Sequence, residues 1–240
     1  MSQAQTIITA AKDSRPLFLP AGFGCPKSLV QWEGREVLLR AMDAYVLDPD
    51  ACWIAINSDE DGEFQLSDKI LSAFPTAHIR AVPSGVKGAA ASALIAMDGV
   101  DLNLPLVVAA GDSMLEGGLR PYIDKFLADG TDAGTIAFAS TNPRWSYLSV
   151  SGDGVVRQVA EKRVIGSLAT IGVFFFRRGA DFLDAATWCL VNNASHNGNY
   201  FVSSTLNYMI SQGQQVHYLK IPRDQYRSWS LPIDFTMQSE

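Results

Sequence analysis

The stretch Pro16-Leu-Phe-Leu-Pro-Ala-Gly-Phe-Gly-Cys-Pro-Lys27 sets an apolar run directly before two glycines and a lysine. From the residues alone, Leu17–Leu19 is expected to be a first strand that empties into a phosphate-binding turn. Gly22 and Gly24 tolerate φ > 0 and let backbone N–H groups close on an anion, while Lys27 adds a point charge. An ordinary surface turn has the same composition, so the weight of this reading comes from the chain around it.

Beyond Lys27, strands and helices alternate. Arg35–Val46 places Val37, Leu38, Ala41, Met42 and Tyr45 on one helical stripe. Cys52–Asn57 reads as a buried strand, Leu66–Phe74 as a helix stopped by Pro75, His78–Val82 as a third strand and Gly88–Met97 as an alanine-rich helix. Leu104–Ala110 is a continuous apolar run ending at Gly111-Asp112. This order predicts an α/β fold with a mostly parallel, Rossmann-like sheet covered by helices on both faces. Ligands of such sheets bind beyond the carboxyl ends of the strands, which is where Gly22–Lys27 and Gly111–Asp112 are expected.

From Thr135 the pattern becomes antiparallel. Thr135–Ala139, Tyr147–Val150 and Val155–Val159 are short strands, the last two joined by the turn signal Ser151-Gly-Asp-Gly154. Ala169–Phe176, helices over 180–193 and 200–212 and a strand over Val216–Ile221 complete the chain. Without repeats or linkers, residues 1–240 read as one domain. Its halves are a nucleotide-binding part over about 16–134 and an acceptor-binding part over about 135–240. The apolar segment Phe182–Leu190 fits the core or an interface between copies, and the sequence leaves homo-oligomerisation open.

With 48% hydrophobic and 18% charged residues, the chain is able to bury a sizeable core and is not a disordered type. Its 19 basic and 25 acidic residues give a net charge of −6, and no Lys/Arg cluster marks a nucleic-acid footprint. An anionic substrate would have to be met by local cations or a metal ion. Cys25, Cys52 and Cys189 are odd in number and widely spaced, suggesting neither disulfides nor a zinc site. No run reaches the ~18 apolar residues of a membrane span, and the N-terminus lacks signal-peptide features. A soluble cytoplasmic protein with no membrane partner is expected. His78, His196 and His217 are scattered, and no Ser-His-Asp or Cys-His arrangement stands out for covalent catalysis.

Two further positions carry chemistry. Asp112, at the end of a buried strand, has the placement of a Mg²⁺ ligand facing nucleotide phosphates, a hard cation needing anionic oxygens on a rigid support. Glu161-Lys162 ends the second hairpin strand, where a carboxylate and an amine can grip a sugar hydroxyl and a phosphate or form a surface ion pair.

Taken in order, the Gly-rich turn with Pro26-Lys27, Ser84-Gly-Val-Lys-Gly-Ala-Ala-Ala-Ser-Ala-Leu94, Pro105-Leu-Val-Val-Ala-Ala-Gly-Asp112, Val159-Ala-Glu-Lys162 and Ala169-Thr-Ile-Gly-Val-Phe-Phe-Phe176 resemble the sugar-phosphate nucleotidyltransferases. The likeness is strongest to bacterial members acting in capsule and surface-polysaccharide synthesis and to related cytidylyltransferases, and it covers about Leu17 to Ile233. It implies a GT-A-like sheet and transfer of NMP from an NTP (CTP, UTP, dTTP or GTP) to a phosphorylated acceptor, with release of pyrophosphate. It also implies roles for individual residues. Ala21, Gly22, Gly24 and Lys27 would hold the triphosphate, Gly88 would border the base and Asp112 would ligate Mg²⁺. Glu161 and Lys162 would face the acceptor, with Lys162 on its phosphate, beside a pocket of Thr170, Gly172 and Asn199. Lys27, Asp112 and Lys162 would be the catalytic groups.

The chain departs from the family pattern in three places. The glycine loop runs from Gly24 straight into Cys25-Pro26-Lys27, without the usual arginine. Ser228 or a neighbour stands where many members carry a second metal-binding aspartate, leaving Asp234 as a helix-start residue. Asn199 occupies a position where capsule-type relatives place a glutamate. These departures fit an enzyme with an unusual substrate, or a homologue that binds nucleotide without turning it over. A glycosyltransferase of similar architecture would carry Asp-x-Asp after the strand, and Gly111-Asp-Ser-Met-Leu115 lacks the second aspartate.

Overall fold

The computed structural model describes residues 4–236. Its first half comprises β1 (Gln5–Ala10), α1 (Arg15–Phe18), β2 (Gln31–Trp32), β3 (Arg35–Glu36), α2 (Val37–Tyr45), β4 (Cys52–Asn57), α3 (Ser58–Phe64), α4 (Leu66–Ala73), β5 (His78–Val82), α5 (Ala89–Ala96) and β6 (Leu106–Ala110). The second half adds β7 (Ser113–Leu115), α6 (Arg120–Ala128), β8 (Ala133–Ala139), β9 (Ser146–Val150), β10 (Val156–Glu161), β11 (Leu168–Phe176), α7 (Gly179–Val191), α8 (Val202–Ser211), β12 (Val216–Lys220) and β13 (Tyr226–Ser228).

Nine strands make one sheet in the order β10-β9-β11-β6-β1-β4-β5, with β8 paired to β11 and β12 to β8. Strands β6, β1, β4 and β5 are parallel. β11 runs antiparallel to β6 on one side and to β8 on the other, so strands of both halves share the sheet. Successive residues alternate between two apolar layers, as the two-residue period of a strand requires. Ile8, Ile54, Ile56 and Val107 pack with Leu38 and Met42 of α2, Ile70 of α4 and Phe126 of α6. Ile7, Trp53, Ala55 and Val108 pack with Ala90, Ala93 and Ala96 of α5, Phe182 of α7 and Leu206 of α8. The predicted α/β sheet with helices on both faces and an antiparallel extension is therefore the fold observed. Phe182, Ala185, Ala186 and Cys189 face inward, making the Phe182–Leu190 stripe core. Among the described residues no helix is long and apolar enough to cross a membrane.

The expected strand at Leu17–Leu19 is corrected by the structure. Arg15–Phe18 is one turn of helix, with Pro16 in its first turn, where a missing N–H costs nothing. The first strand lies earlier, at Gln5–Ala10, between β4 and β6. Polar residues disguise it, since Gln5, Thr6 and Thr9 interrupt the apolar run. Each is satisfied locally. The Gln5 amide exchanges two 2.8 Å bonds with the Asp101 backbone, and the Thr9 hydroxyl donates to the Ala109 carbonyl at 3.2 Å.

Gly88 stands just before α5 at φ 95, ψ 157, a region essentially reserved for glycine. Tyr200 lies across the helix start, its N–H donating to the Lys87 carbonyl (3.2 Å) and its carbonyl accepting from Ala90 N–H (3.0 Å). A Cβ on Gly88 would meet the Tyr200 carbonyl oxygen at 2.2 Å. Gly88→Ala should therefore destabilise the protein by about 2–4 kcal/mol in urea unfolding. Gly85→Ala, with nothing within 4 Å of the added carbon, should change stability by less than about 1 kcal/mol.

Candidate active site

A cavity of about 840 Å³ opens at the carboxyl ends of the parallel strands. One wall comes from the first half: Ala11–Asp13 after β1, Ser84 and Val86–Ala89 between β5 and α5, and Gly111-Asp112 after β6. The facing wall is built from Arg144–Ser146, Glu161-Lys162, Thr170–Gly172, Asn199 and Phe201–Ser203, with Ser228, Ser230 and Leu231 closing it from the C-terminal segment.

At its centre Lys27 Nζ donates to Asp112 Oδ2 at 2.6 Å. The two side chains are only 16% and 23% exposed. That is too enclosed for a solvated surface pair worth ~0–1 kcal/mol, yet open enough to be reached from the cleft. Burial opposes ionisation of Asp112, but the charge and hydrogen bond of Lys27, helped by the Ser230 hydroxyl, hold its carboxyl below the usual range. The C-terminal segment reaches this point because β13 pairs with β7, and Trp229 N–H then donates to the Asp112 carbonyl at 2.8 Å.

Lys27 is set by a chain of hydrogen bonds that begins in the interior. Glu60, fully buried, accepts from Ser14 N–H (2.7 Å) and from Ser14 Oγ–H (2.6 Å). Ser14 Oγ in turn accepts from Lys27 N–H at 2.9 Å. Asn57 fixes Glu60 by capping α3, its Oδ1 accepting from the Asp59 and Glu60 N–H groups. Asn57 Nδ2 also donates to the Ala11 carbonyl and to Ser84 Oγ, tying the β1 and β5 loops together. Burial raises the Glu60 carboxyl above its ordinary value, against the pull of the two Ser14 bonds.

Lys27, Gly88, Asp112, Glu161, Lys162, Thr170, Gly172 and Asn199 thus all line one cavity. Ala21, Gly22 and Gly24 do not. They sit beyond α1, away from the lining, and nothing lies within 4 Å of a carbon added at either glycine. The segment that meets the cleft after the first strand is Ala11-Lys12-Asp13, which contains no glycine. The expected shortening of the loop disappears with the correct first strand, because Ala11–Pro26 now precedes Lys27 and includes an arginine. Arg15 turns away from the cleft, forking Asp13 at 3.0 and 2.9 Å and pairing with Glu63 at 2.8 Å.

On the far wall Glu161 accepts from the hydroxyls of Ser146 and of Ser203 (2.9 Å). Lys162, in the left-handed region at φ 50, carries its ammonium 5.4 Å from the centre of the Phe201 ring. Gly172, at φ 76, lies where the pairing of β11 with β8 shifts register between Thr170 and Phe174, and it turns this strand's wall toward the cleft. Asp234 is 7% exposed at its side chain and held by a two-bond fork from Arg144 at 2.9 and 2.8 Å. Its Oδ2 also accepts from Leu231 N–H at the start of a 3₁₀ turn, as expected of a helix-start residue. His78, His196 and His217 lie outside the lining.

Lys12 escaped the sequence reading because the strand before it was misplaced. Partial burial, Lys27 and Lys162 lower its ammonium pKa, while Asp112 pulls the other way. Together with Lys27, Lys87, Lys162 and Arg144, the last forked to Asp234, it makes five cationic side chains on the described lining, against three carboxylates, Asp13, Asp112 and Glu161. A chain of net charge −6 therefore presents a cationic cleft. The Mg²⁺ implied by the resemblance meets a poor donor set there. Arg15 takes Asp13, two hydroxyls take Glu161 and Lys27 takes Asp112, while Ser228 and Ser230 offer only neutral oxygens. Among the described residues no three His, Cys, Asp or Glu side chains gather as a metal-binding group. Mg²⁺ is usually held by one or two carboxylates together with substrate phosphates, and here the carboxylate at the centre of the cleft already carries an ammonium, which makes it a poor ligand for a cation held by the protein alone.

The chain matches no protein-family profile and no curated protein sequence. Its fold does match solved structures. The nucleoside-diphosphate-sugar pyrophosphorylase from Vibrio cholerae RC9 superimposes with a TM-score of 0.81 at 20% identity, over 97% of this chain and 98% of that one. The inositol-1-phosphate CTP transferase from T. maritima gives 0.72 at 15% identity, over 97% and 91%. At these identities the likeness is one of fold.

The hydrogen-bond chain from Glu60 to Lys27 yields a stability test. Glu60→Leu orphans the buried Ser14 donors and should cost about 2–4 kcal/mol in urea unfolding, whereas Glu60→Gln keeps an acceptor and should cost about 1 kcal/mol.

Proposed function

We propose that this protein is a cytoplasmic nucleotidyltransferase that joins NMP, from an NTP, to a sugar phosphate or similar phosphorylated metabolite in the synthesis of surface polysaccharide. The observation that carries the proposal is the cluster of lysines around Asp112 in a cleft at the carboxyl ends of the parallel strands. The fold likeness to a pyrophosphorylase and a CTP transferase supports it.

In this reading a phosphomonoester oxygen of the acceptor attacks the α-phosphorus in line. The bond to the bridging oxygen breaks, and pyrophosphate leaves with that electron pair. Such a displacement needs positioning and charge neutralisation rather than a covalent intermediate on the protein. Lys27, oriented by Asp112, faces the triphosphate, and the loop at Gly88 borders the base. Lys162 takes the acceptor phosphate. Glu161, oriented by Ser146 and Ser203, accepts from an acceptor hydroxyl, and Thr170, Gly172 and Asn199 shape the rest of the acceptor pocket. The first half then serves the nucleotide and the second the acceptor.

Pyrophosphate release, assayed with CTP, UTP, dTTP and GTP against a panel of phosphorylated sugars and alcohols, tests the proposal. At least one pair should turn over, and Lys27→Ala should lower kcat/KM on that pair by about 100-fold or more. Silence across the panel from a protein that still binds nucleotide would contradict it and favour a homologue that binds without turnover.

A further inference from the structure

We infer that this cleft neutralises substrate phosphate with lysine ammonium groups rather than with a divalent cation, and that Lys12 is the added charge that makes this workable. The inference rests on the nucleotidyl-transfer reading and assigns the cleft a substrate form, the metal-free polyphosphate.

Three observations converge on it. First, the carboxylates on the described lining already hold donors: both oxygens of Asp13 take the Arg15 fork, Oε2 of Glu161 takes two hydroxyls and Oδ2 of Asp112 takes the Lys27 ammonium. A dication reaching Asp112 would have to share that carboxylate with the Lys27 ammonium or displace it. Second, partial burial and the charges of Lys27 and Lys162 work against the Lys12 ammonium on the cleft wall, with Asp112 pulling the other way. A cation arriving there meets like charge, while a polyanion meets opposite charge. Third, Lys12 makes no ion pair among the described residues although it lies on the cleft wall beside Lys27. An ammonium half-buried beside two others, with Asp112 offsetting them only in part, destabilises the empty protein, and a phosphate group is the partner that would relieve it.

The same geometry separates a binding role from a structural one. The folded state lowers the Lys12 pKa. The unfolded chain therefore holds that proton more tightly, and the penalty is present below the folded-state pKa and fades as pH rises through it. Removing the charge should stabilise the empty protein, so Lys12→Met should melt no lower than wild type while losing affinity for polyphosphate. A lysine with only a structural task would show the opposite.

Calorimetry with CTP, UTP, dTTP, GTP and inorganic tripolyphosphate, each in excess EDTA and in excess Mg²⁺, tests the inference alongside thermal unfolding. Wild type should bind at least as tightly in EDTA as in Mg²⁺. Lys12→Met should bind about tenfold or more weakly, and Lys12→Arg should recover most of the affinity. A rise of tenfold or more in wild-type affinity on adding Mg²⁺, or Lys12→Met binding like wild type, would overturn the inference. Running the pyrophosphate-release assay under both conditions keeps the two readings apart. Turnover that requires Mg²⁺ would leave the transferase reading standing and overturn this one. Tripolyphosphate binding in EDTA, with no turnover under either condition, would keep the lysine site and overturn the transferase reading.

Discussion

The site depends on the bond between Lys27 and Asp112, which joins the long segment after the first strand to the end of β6. Neither group would keep its position alone. Lys27 arrives from Ala11–Pro26, a segment whose only regular element is one helical turn, and its backbone is held through Ser14 by the buried Glu60. Asp112 sits at the end of a strand, with its carbonyl fixed by Trp229. Enclosure strengthens the pair, because charges screened from water interact through a lower effective dielectric, and removing one leaves the other poorly solvated. The interior therefore sets the position of a functional lysine, and the C-terminal segment sets that of its partner.

The fold was legible wherever apolar periodicity was clean. Cys52–Asn57, Leu106–Ala110 and the helical stripe of Val37–Tyr45 stand out because nearly every buried position is apolar. β1 did not, because Gln5, Thr6 and Thr9 are polar and their burial is compensated by hydrogen bonds that no periodicity reveals. That miss moved the phosphate-loop reading to Gly22 and Gly24, and with it hid Lys12. Asp112, Glu161, Lys162 and Gly172, named from the sequence, reach the cleft lining, and they lie on or just after strands that were correctly placed. Gly88 was found through its place in the motif order, while the structure supplies its physical reason, the Tyr200 backbone lying across it. Ser14, Glu60 and Ser146 were illegible because their importance comes from long-range partners.

The charge distribution connects stability with function. A net charge of −6 would repel a polyphosphate at long range, yet the cleft wall is cationic. Lys12 follows the parallel strand β1, Lys27 opens a short 3₁₀ turn and Lys162 follows the antiparallel strand β10, and all three line the cleft. On the reading proposed above, a bound anion relieves the strain on Lys12 there. Sites prepared for ligand are commonly less stable than the folds that carry them, and Lys12 gives that statement a named residue here.

The most direct measurement of this account is a crystal structure from separate soaks with CTP, UTP, dTTP and GTP. The account predicts phosphate density between the Lys12 and Lys27 ammonium groups, with the base against the Ser84–Gly88 loop. Phosphate density at Gly22–Gly24 instead, with the Lys12 side chain left facing solvent, would contradict it.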